Sequence, residues 1–175
     1  MEDGGKFNFS ILTVISNVEM AASLFSRQGW HHFKKRKMKI LFVCKGNIGR
    51  SQIAESLFNK YTKEHKTKSA GTHVGEKEDQ TIKQYEKANL LCEVMDEEGI
   101  NVRNNKRKQL TPKMVKEADK IIVITNKRDW PDYLRSNDEV IYWNLKDPKG
   151  TNYNFHVKIK NLVKKNIKKL LDELE

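Results

Sequence analysis

Ile40-Leu41-Phe42-Val43-Cys44-Lys45-Gly46-Asn47-Ile48-Gly49-Arg50-Ser51 is an apolar run that gives way to a glycine-bearing loop carrying one cysteine and one arginine. The apolar residues predict a buried strand. Ser51 to Tyr61 predicts a helix with Ile53, Ala54, Leu57, Phe58 and Tyr61 on one face. The loop therefore ends at a helix N-terminus, where unpaired amides and the helix dipole favour an anion. A free thiol, with a pKa of about 8.5, becomes a nucleophile only where positive potential holds the thiolate. Arg50 adds to that potential, and its planar fork can hold a tetrahedral oxyanion through two parallel bonds. The expectation is a Cys44 nucleophile with an oxyanion bound by Arg50 and by the loop residues Lys45, Gly46, Asn47, Ile48, Gly49 and Ser51. Gly46 permits close backbone approach, Asn47 tolerates a left-handed conformation, and Ser51 can donate a hydroxyl hydrogen bond to the thiolate. A structural cysteine at a strand end is the bland alternative, and it leaves the Gly-Asn and Arg-Ser pairs unexplained.

Outward from this stretch, strand and helix patterns alternate. Lys66 to Gly71 reads as a second strand and turn, and residues 79–98 as one long helix stopped by Gly99. Thr111 caps a helix from Pro112 to Glu117, Lys120 to Thr125 is a buried strand, Lys127 to Arg135 a short helix, and Glu139 to Trp143 a fourth strand. A last helix places Ile159, Leu162, Val163, Ile167, Leu170 and Leu171 at helical spacing, with lysines between them. The order predicts an α/β fold, a three-layer sandwich around a parallel sheet. Right-handed crossovers then bring Cys44, Thr125 and the Asp147 loop to one rim.

The stretch Val43 to Ser51 resembles the signature of the low-molecular-weight protein tyrosine phosphatase family, which also includes the thioredoxin-coupled arsenate reductases. The likeness runs from Met38 to about Leu174, through Ser69-Ala70-Gly71-Thr72, the strand Lys120 to Thr125 and Trp143-Asn144-Leu145-Lys146-Asp147-Pro148. It implies a central four-stranded parallel sheet and a phosphocysteine intermediate, with no metal and no organic cofactor. It also assigns Asp147 the general-acid role, since a departing ester oxygen needs a proton and the attacking water needs a base. Asn47, Glu55 and Ser69 stand where the family uses polar groups to hold the phosphate loop, and His73 is a further candidate for that network.

This chain departs from the pattern in several places. Gly49 stands where the family often has a second cysteine, which removes a partner for a disulfide within the loop. Ile124 to Trp130 lacks the further cysteines of the arsenate reductases, so their redox relay cannot run inside this chain. Gln52 nevertheless looks like the reductase branch, where the phosphatases commonly have proline. Ile48 favours a tyrosine phosphatase over a protein-arginine phosphatase, since an apolar side chain can contact an aromatic ring but cannot hydrogen-bond a guanidinium. Thr72 to Asp79 carries no aromatic residue and Lys149 follows Pro148, which leaves Tyr153 as the candidate pocket aromatic. The expected activity is cysteine-dependent phosphomonoester hydrolysis on protein phosphotyrosine, with a small phosphomonoester or oxyanion as the other partner class. The alternatives are arsenate reduction with an external thiol and a non-hydrolytic phosphate-binding or phosphocysteine-carrier module. A carrier does not need Arg50 and Asp147 together.

The 175 residues suit one domain, 37% hydrophobic and 33% charged. Two cysteines imply no disulfide framework and a reducing, cytoplasmic setting. Cys92, on an apolar helical stripe, is expected in the core on the far side of the sheet. A net charge of +11 invites a nucleic-acid partner, but the lysines are dispersed, aromatics are only 9%, and no recognition motif is present, so no specific nucleic acid is expected. Phe9 to Ser16 is too short to span a membrane, and Met1-Glu2-Asp3 lacks the basic start of a signal peptide. Residues 1–37 are read as an N-terminal extension, disordered, loosely helical or a misplaced start, with a basic membrane-surface tail as the rival. Residues 38–175 are read as the phosphatase-like domain, and the chain as a monomer.

Overall fold

The computed structural model describes residues 36–174. The chain divides into Met1–Arg36 and Lys37–Glu175, and every regular element among the described residues lies in the second unit. The expectations for residues 1–37 fall, apart from the last two, outside the described residues. No helix among the described residues is long and apolar enough to cross a membrane.

The first strand, β1, is Lys39–Cys44, followed by helix α1, Arg50–Tyr61, and strand β2, Lys66–Gly71. Then come α2, Asn89–Asp96; α3, Pro112–Glu117; β3, Lys120–Val123; α4, Asp132–Arg135; β4, Val140–Tyr142; and α5, Tyr153–Leu174. The four strands form one parallel sheet in the order β2-β1-β3-β4. Because the chain leaves β1 toward β2 and later returns to its other side, the C-terminal end of β1 is the topological switch point, where such sheets leave a crevice. Cys44 is the last residue of β1.

β1 is buried from Ile40 to Cys44, as a central parallel strand covered on both faces must be. Its period-two alternation feeds two cores. Ile40 and Phe42 face a cluster built with Ile53, Leu57 and Phe58 of α1 and Ile159, Val163 and Ile167 of α5. Leu41 and Val43 face a smaller one with Leu110, Val115 of α3 and Leu134 of α4. The Phe42 ring lies 5.8 Å from Phe58 and 6.1 Å from Trp143, so it ties β1 to α1 and to the end of β4. Full burial of such a side chain contributes about 1.5–3 kcal/mol. Thr111 caps α3 by accepting from the Met114 N–H, with Pro112 in the first turn.

Several expectations are corrected. Residues 79–98 do not form one helix: single 3-10 turns at Ile82–Gln84 and Glu86–Ala88 precede α2. Ile82, Tyr85 and Ala88 are spaced by three, which fits a 3-10 turn as well as an α-helix. The N–H groups of Ile82 and Lys83 bond the carbonyls of Asn105 and Arg103, so they are withdrawn from any helix ladder. The Lys127 to Arg135 helix is likewise split into Lys127–Asp129 and α4. Pro131 disfavours a helical residue before it, and Trp130 is extended at φ −85°. Tyr61 and Leu162, expected on buried faces, are exposed. Cys92 is buried but not on the far side: it joins the cluster of Phe42 and Phe58, because α2 packs against α5 on the face that α1 covers. Burial pushes its thiol pKa up, opposed by Arg103.

Candidate active site

Cys44 ends a buried strand and is itself 3% exposed, its Sγ 3.0 Å from Ser51 Oγ on the first turn of α1. The loop between them is tied down through its carbonyls. Those of Cys44 and Lys45 accept from the N–H groups of Thr72 and His73, at 2.9 and 2.8 Å, and that of Gly46 from Arg107 Nε at 3.0 Å. The Asn47 carbonyl accepts from Gln52 Nε2 and that of Gly49 from the Ile53 N–H. No backbone N–H from Lys45 to Arg50 donates to an acceptor among the described residues. α1 has no side-chain cap and no acidic residue in its first turn, so its N-terminal donors too are available to an anion.

Asn47, fully buried at φ 49°, braces this loop. Its Nδ2 donates to Ser51 Oγ and Ser69 Oγ, each at 2.9 Å, and its Oδ1 accepts from the Lys108 N–H at 2.8 Å. Ser69 Oγ donates in turn to Glu55 Oε2 at 2.5 Å, and Lys108 Nζ lies 3.8 Å from Glu55 Oε1. The structure thus brings Asn47, Ser51, Ser69 and Glu55 into one network. His73 is not part of it. Its ring is exposed at the rim of the cleft and is bonded instead to its neighbour, with Nδ1 2.9 Å from Thr72 Oγ1.

Gly71 closes the base of the loop. A Cβ there would lie 2.8 Å from both Asn47 N and Lys45 O and 2.7 Å from Val74 Cγ2, closer than real contacts allow. Two of those atoms are backbone and cannot swing away. Gly71→Ala is therefore expected to cost about 1–3 kcal/mol by overpacking. It should also depress activity, since the strain falls on the loop. Urea midpoints would test this, and an unchanged midpoint would mean the loop yields freely. At Gly49, by contrast, a Cβ would meet nothing within 4 Å.

Arg50, 6% exposed, donates to the Leu145 carbonyl at 3.1 Å and to Asp147 Oδ2 at 2.7 Å. Asp147 is about half exposed, and its other oxygen accepts from the Lys149 N–H at 3.0 Å. Cys44, Arg50 and Asp147 line one cleft of about 510 Å³, together with Gly46, Ile48 and Gly49. Lys45 reaches out of the loop to Asp129 Oδ1 at 3.1 Å. Burial pushes the Asp129 carboxyl up, but the hydrogen bond and charge of Lys45, with Arg128 and His73, outweigh it and hold the pKa low. Among the described residues no group of His, Cys, Asp and Glu is arranged to hold a metal ion.

Four residues have roles in the site that the sequence does not reveal. Arg107 and Tyr85 line the cleft, with the Arg107 guanidinium 5.9 Å from the Tyr85 ring centroid. Tyr85 has a sequence signal, its helical spacing with Ile82, Ala88 and Leu91, but that spacing by itself reads as a core stripe. Tyr153 does not take the aromatic role: its hydroxyl donates to Glu97, away from the cleft. Gln52, 1% exposed, donates to Asn47 and to the Lys106 carbonyl and accepts from Asn105, so it serves as a brace of the loop. His156, also in the cleft and 8% exposed, has its pKa pushed down by burial, against a hydrogen bond to the Pro148 backbone and the Asp147 charge.

Residues 39–175 match the family model described as low molecular weight phosphotyrosine protein phosphatase. Among solved structures, the fold is similar to a low molecular weight protein tyrosine phosphatase from T. tengcongensis, with 27% identity over 78% of this chain and 99% of that one, at a TM-score of 0.65. It is also similar to the YwlE arginine phosphatase from Geobacillus stearothermophilus, at 23% identity, 78% and 92% coverage and a TM-score of 0.65. An arsenate reductase in a phosphate-binding state shares the fold at 20% identity, 79% and 99% coverage and a TM-score of 0.66. No curated protein matches the chain.

Proposed function

Because the chain belongs to the low molecular weight phosphotyrosine protein phosphatase family and is a cysteine-based phosphatase, we propose that it hydrolyses protein phosphotyrosine through a phosphocysteine intermediate. In the first step the Cys44 thiolate attacks phosphorus and an S–P bond forms. The P–O bond to the tyrosine breaks, and Asp147 gives its proton to the departing oxygen. In the second step Asp147 takes a proton from water, the water oxygen bonds phosphorus, the S–P bond breaks, and orthophosphate leaves with the Cys44 thiolate restored. Arg50 exchanges its contact with Asp147 for the phosphoryl oxygens, which frees the carboxyl for its proton transfers.

The observation that carries this reading is the 2.7 Å contact between Arg50 and Asp147 across the cleft that holds Cys44. An anion binder or phosphocysteine carrier needs the nucleophile and the cation but no acid poised beside them. Support for an aromatic ester comes from the cleft walls, where Ile48, Tyr85, Leu91 and Pro148 offer apolar faces to a ring. Gln52, the residue that looks like the reductase branch, is occupied with bonds to Asn47, which accounts for it without arsenic chemistry.

Asp147→Asn tests the acid role. It is expected to lower kcat/KM about a hundredfold for an alkyl phosphate and less than about tenfold for an activated aryl phosphate, whose leaving group needs no proton. Equal losses along a leaving-group series would deny Asp147 that role. Substrate class is decided by comparing phosphotyrosine, phosphoserine and phosphoarginine peptides, and by assaying thiol-dependent arsenite formation. Faster turnover of phosphoarginine or arsenate than of phosphotyrosine would overturn the tyrosine assignment.

A further inference from the structure

Besides histidines, three cationic side chains are buried among the described residues: Arg50, Arg107 and Lys160. Arg50 pairs with Asp147, and Lys160 with Glu97 and Glu98. Arg107, 3% exposed, has no such partner among the described residues. It donates to the Gly46 carbonyl and, from NH1, to Gln80 Oε1 at 3.1 Å, and its guanidinium faces the Tyr85 ring. A guanidinium stays protonated even when buried. A charge held out of water without a counterion is unfavourable, so an anion nearby relieves it. Arg107 lines the same cleft as Cys44 and Arg50. Burial pushes its pKa down, and Tyr85 and Cys44 oppose that push.

We propose that Arg107 is a second cation of the phosphate site: a positioning residue that fixes the loop through the Gly46 carbonyl and whose countercharge is the Cys44 thiolate, then the bound phosphoryl group. The Nε–H bond sets the plane of the peptide that follows Gly46, and the charge favours an anion at the end of β1. Arg107 thus acts on the nucleophile through the loop and through its field, without itself forming or breaking a bond. The proposal rests on the phosphatase reading only for the identity of the bound anion.

The test uses the full chain with Arg107→Gln, which keeps a donor for Gly46 but removes the charge, and Arg107→Lys, which keeps the charge. Alkylation of Cys44 by neutral iodoacetamide, followed by mass spectrometry of the Cys44 peptide, reads the thiolate without requiring turnover. Arg107→Gln is expected to slow alkylation about tenfold at pH 6 and to converge with the parent above about pH 9, where a free thiol ionises without help from a neighbouring cation. Inhibition by inorganic phosphate should weaken by about tenfold in the same variant. Arg107→Lys should recover most of the alkylation rate at pH 6. Parent-like alkylation and phosphate inhibition in a folded Arg107→Gln protein would overturn the proposal, as would a loss that persists unchanged at pH 9. Should Arg107→Gln not fold, a folded Arg107→Lys protein as slow at pH 6 as at pH 9, relative to the parent, would overturn it equally. Neither readout depends on phosphotyrosine hydrolysis, so failure of the substrate assignment leaves the result interpretable.

Discussion

Cys44→Ser is expected to abolish turnover, by more than about 10⁴-fold, while inorganic phosphate and vanadate still bind. The substitution exchanges sulfur for oxygen at a buried strand end where Sγ sits 3.0 Å from Ser51 Oγ. It leaves the loop carbonyls tied to Thr72, His73 and Arg107, and the amides from Lys45 to Arg50 available to an anion. Binding therefore survives in the backbone and in Arg50. Chemistry does not, because a serine hydroxyl stays protonated near neutral pH and is a poor nucleophile at phosphorus. Phosphate release from an aryl phosphate, set beside calorimetric titration with vanadate, would measure both. Residual hydrolysis within tenfold of the parent would remove Cys44 from the mechanism, and lost vanadate binding would show that the thiolate itself, not the loop, holds the anion.

Arg50→Lys is the second large loss, on the order of a thousandfold in kcat/KM. Arg50 does two things at once from a buried position: one nitrogen holds the Leu145 carbonyl and the other meets Asp147. A lysine has one ammonium on a flexible stem and cannot present a planar fork to phosphoryl oxygens while anchoring Leu145. The variant should therefore lose transition-state stabilisation and also loosen the segment that carries Asp147. Weaker vanadate binding together with a flattened leaving-group dependence would report both effects. A variant within about threefold of the parent would mean that the loop amides and Arg107 suffice without the fork.

The strand, loop and helix from Ile40 to Tyr61 were legible in the sequence because their logic is local. A four-residue apolar run sets a buried strand, a helical stripe begins at Ser51, and glycine, asparagine and arginine fall in the few positions between them. The same holds for the Thr111-Pro112 cap, the Lys120 strand and the parallel, helix-covered sheet, each of which follows from spacing, capping or turn chemistry within a dozen residues. Asp147 was legible only through family resemblance, since it meets Arg50 across a separation of 97 residues.

The sequence by itself determined the strand, loop and helix that carry Cys44 and Arg50, because backbone propensity and side-chain periodicity act between near neighbours. Tertiary structure alone decided the rest. Residues 79–98 break into turns because their N–H groups are claimed by the segment around Asn105, and that detour carries Tyr85 into the cleft. Arg107 reaches the Gly46 carbonyl over 61 residues, and Gln52 from α1 and Lys108 from the segment before α3 converge on Asn47. Cys92 landed on the same side of the sheet as Phe42 and Phe58 because α2 found α5 as its packing partner. Gly71 has the same origin: its missing side chain matters only because the loop folds back to within 3 Å of where a Cβ would be. Such contacts leave no periodic trace, since a hydrogen bond or a steric exclusion between distant segments depends on where the whole chain places them and not on the residues beside them.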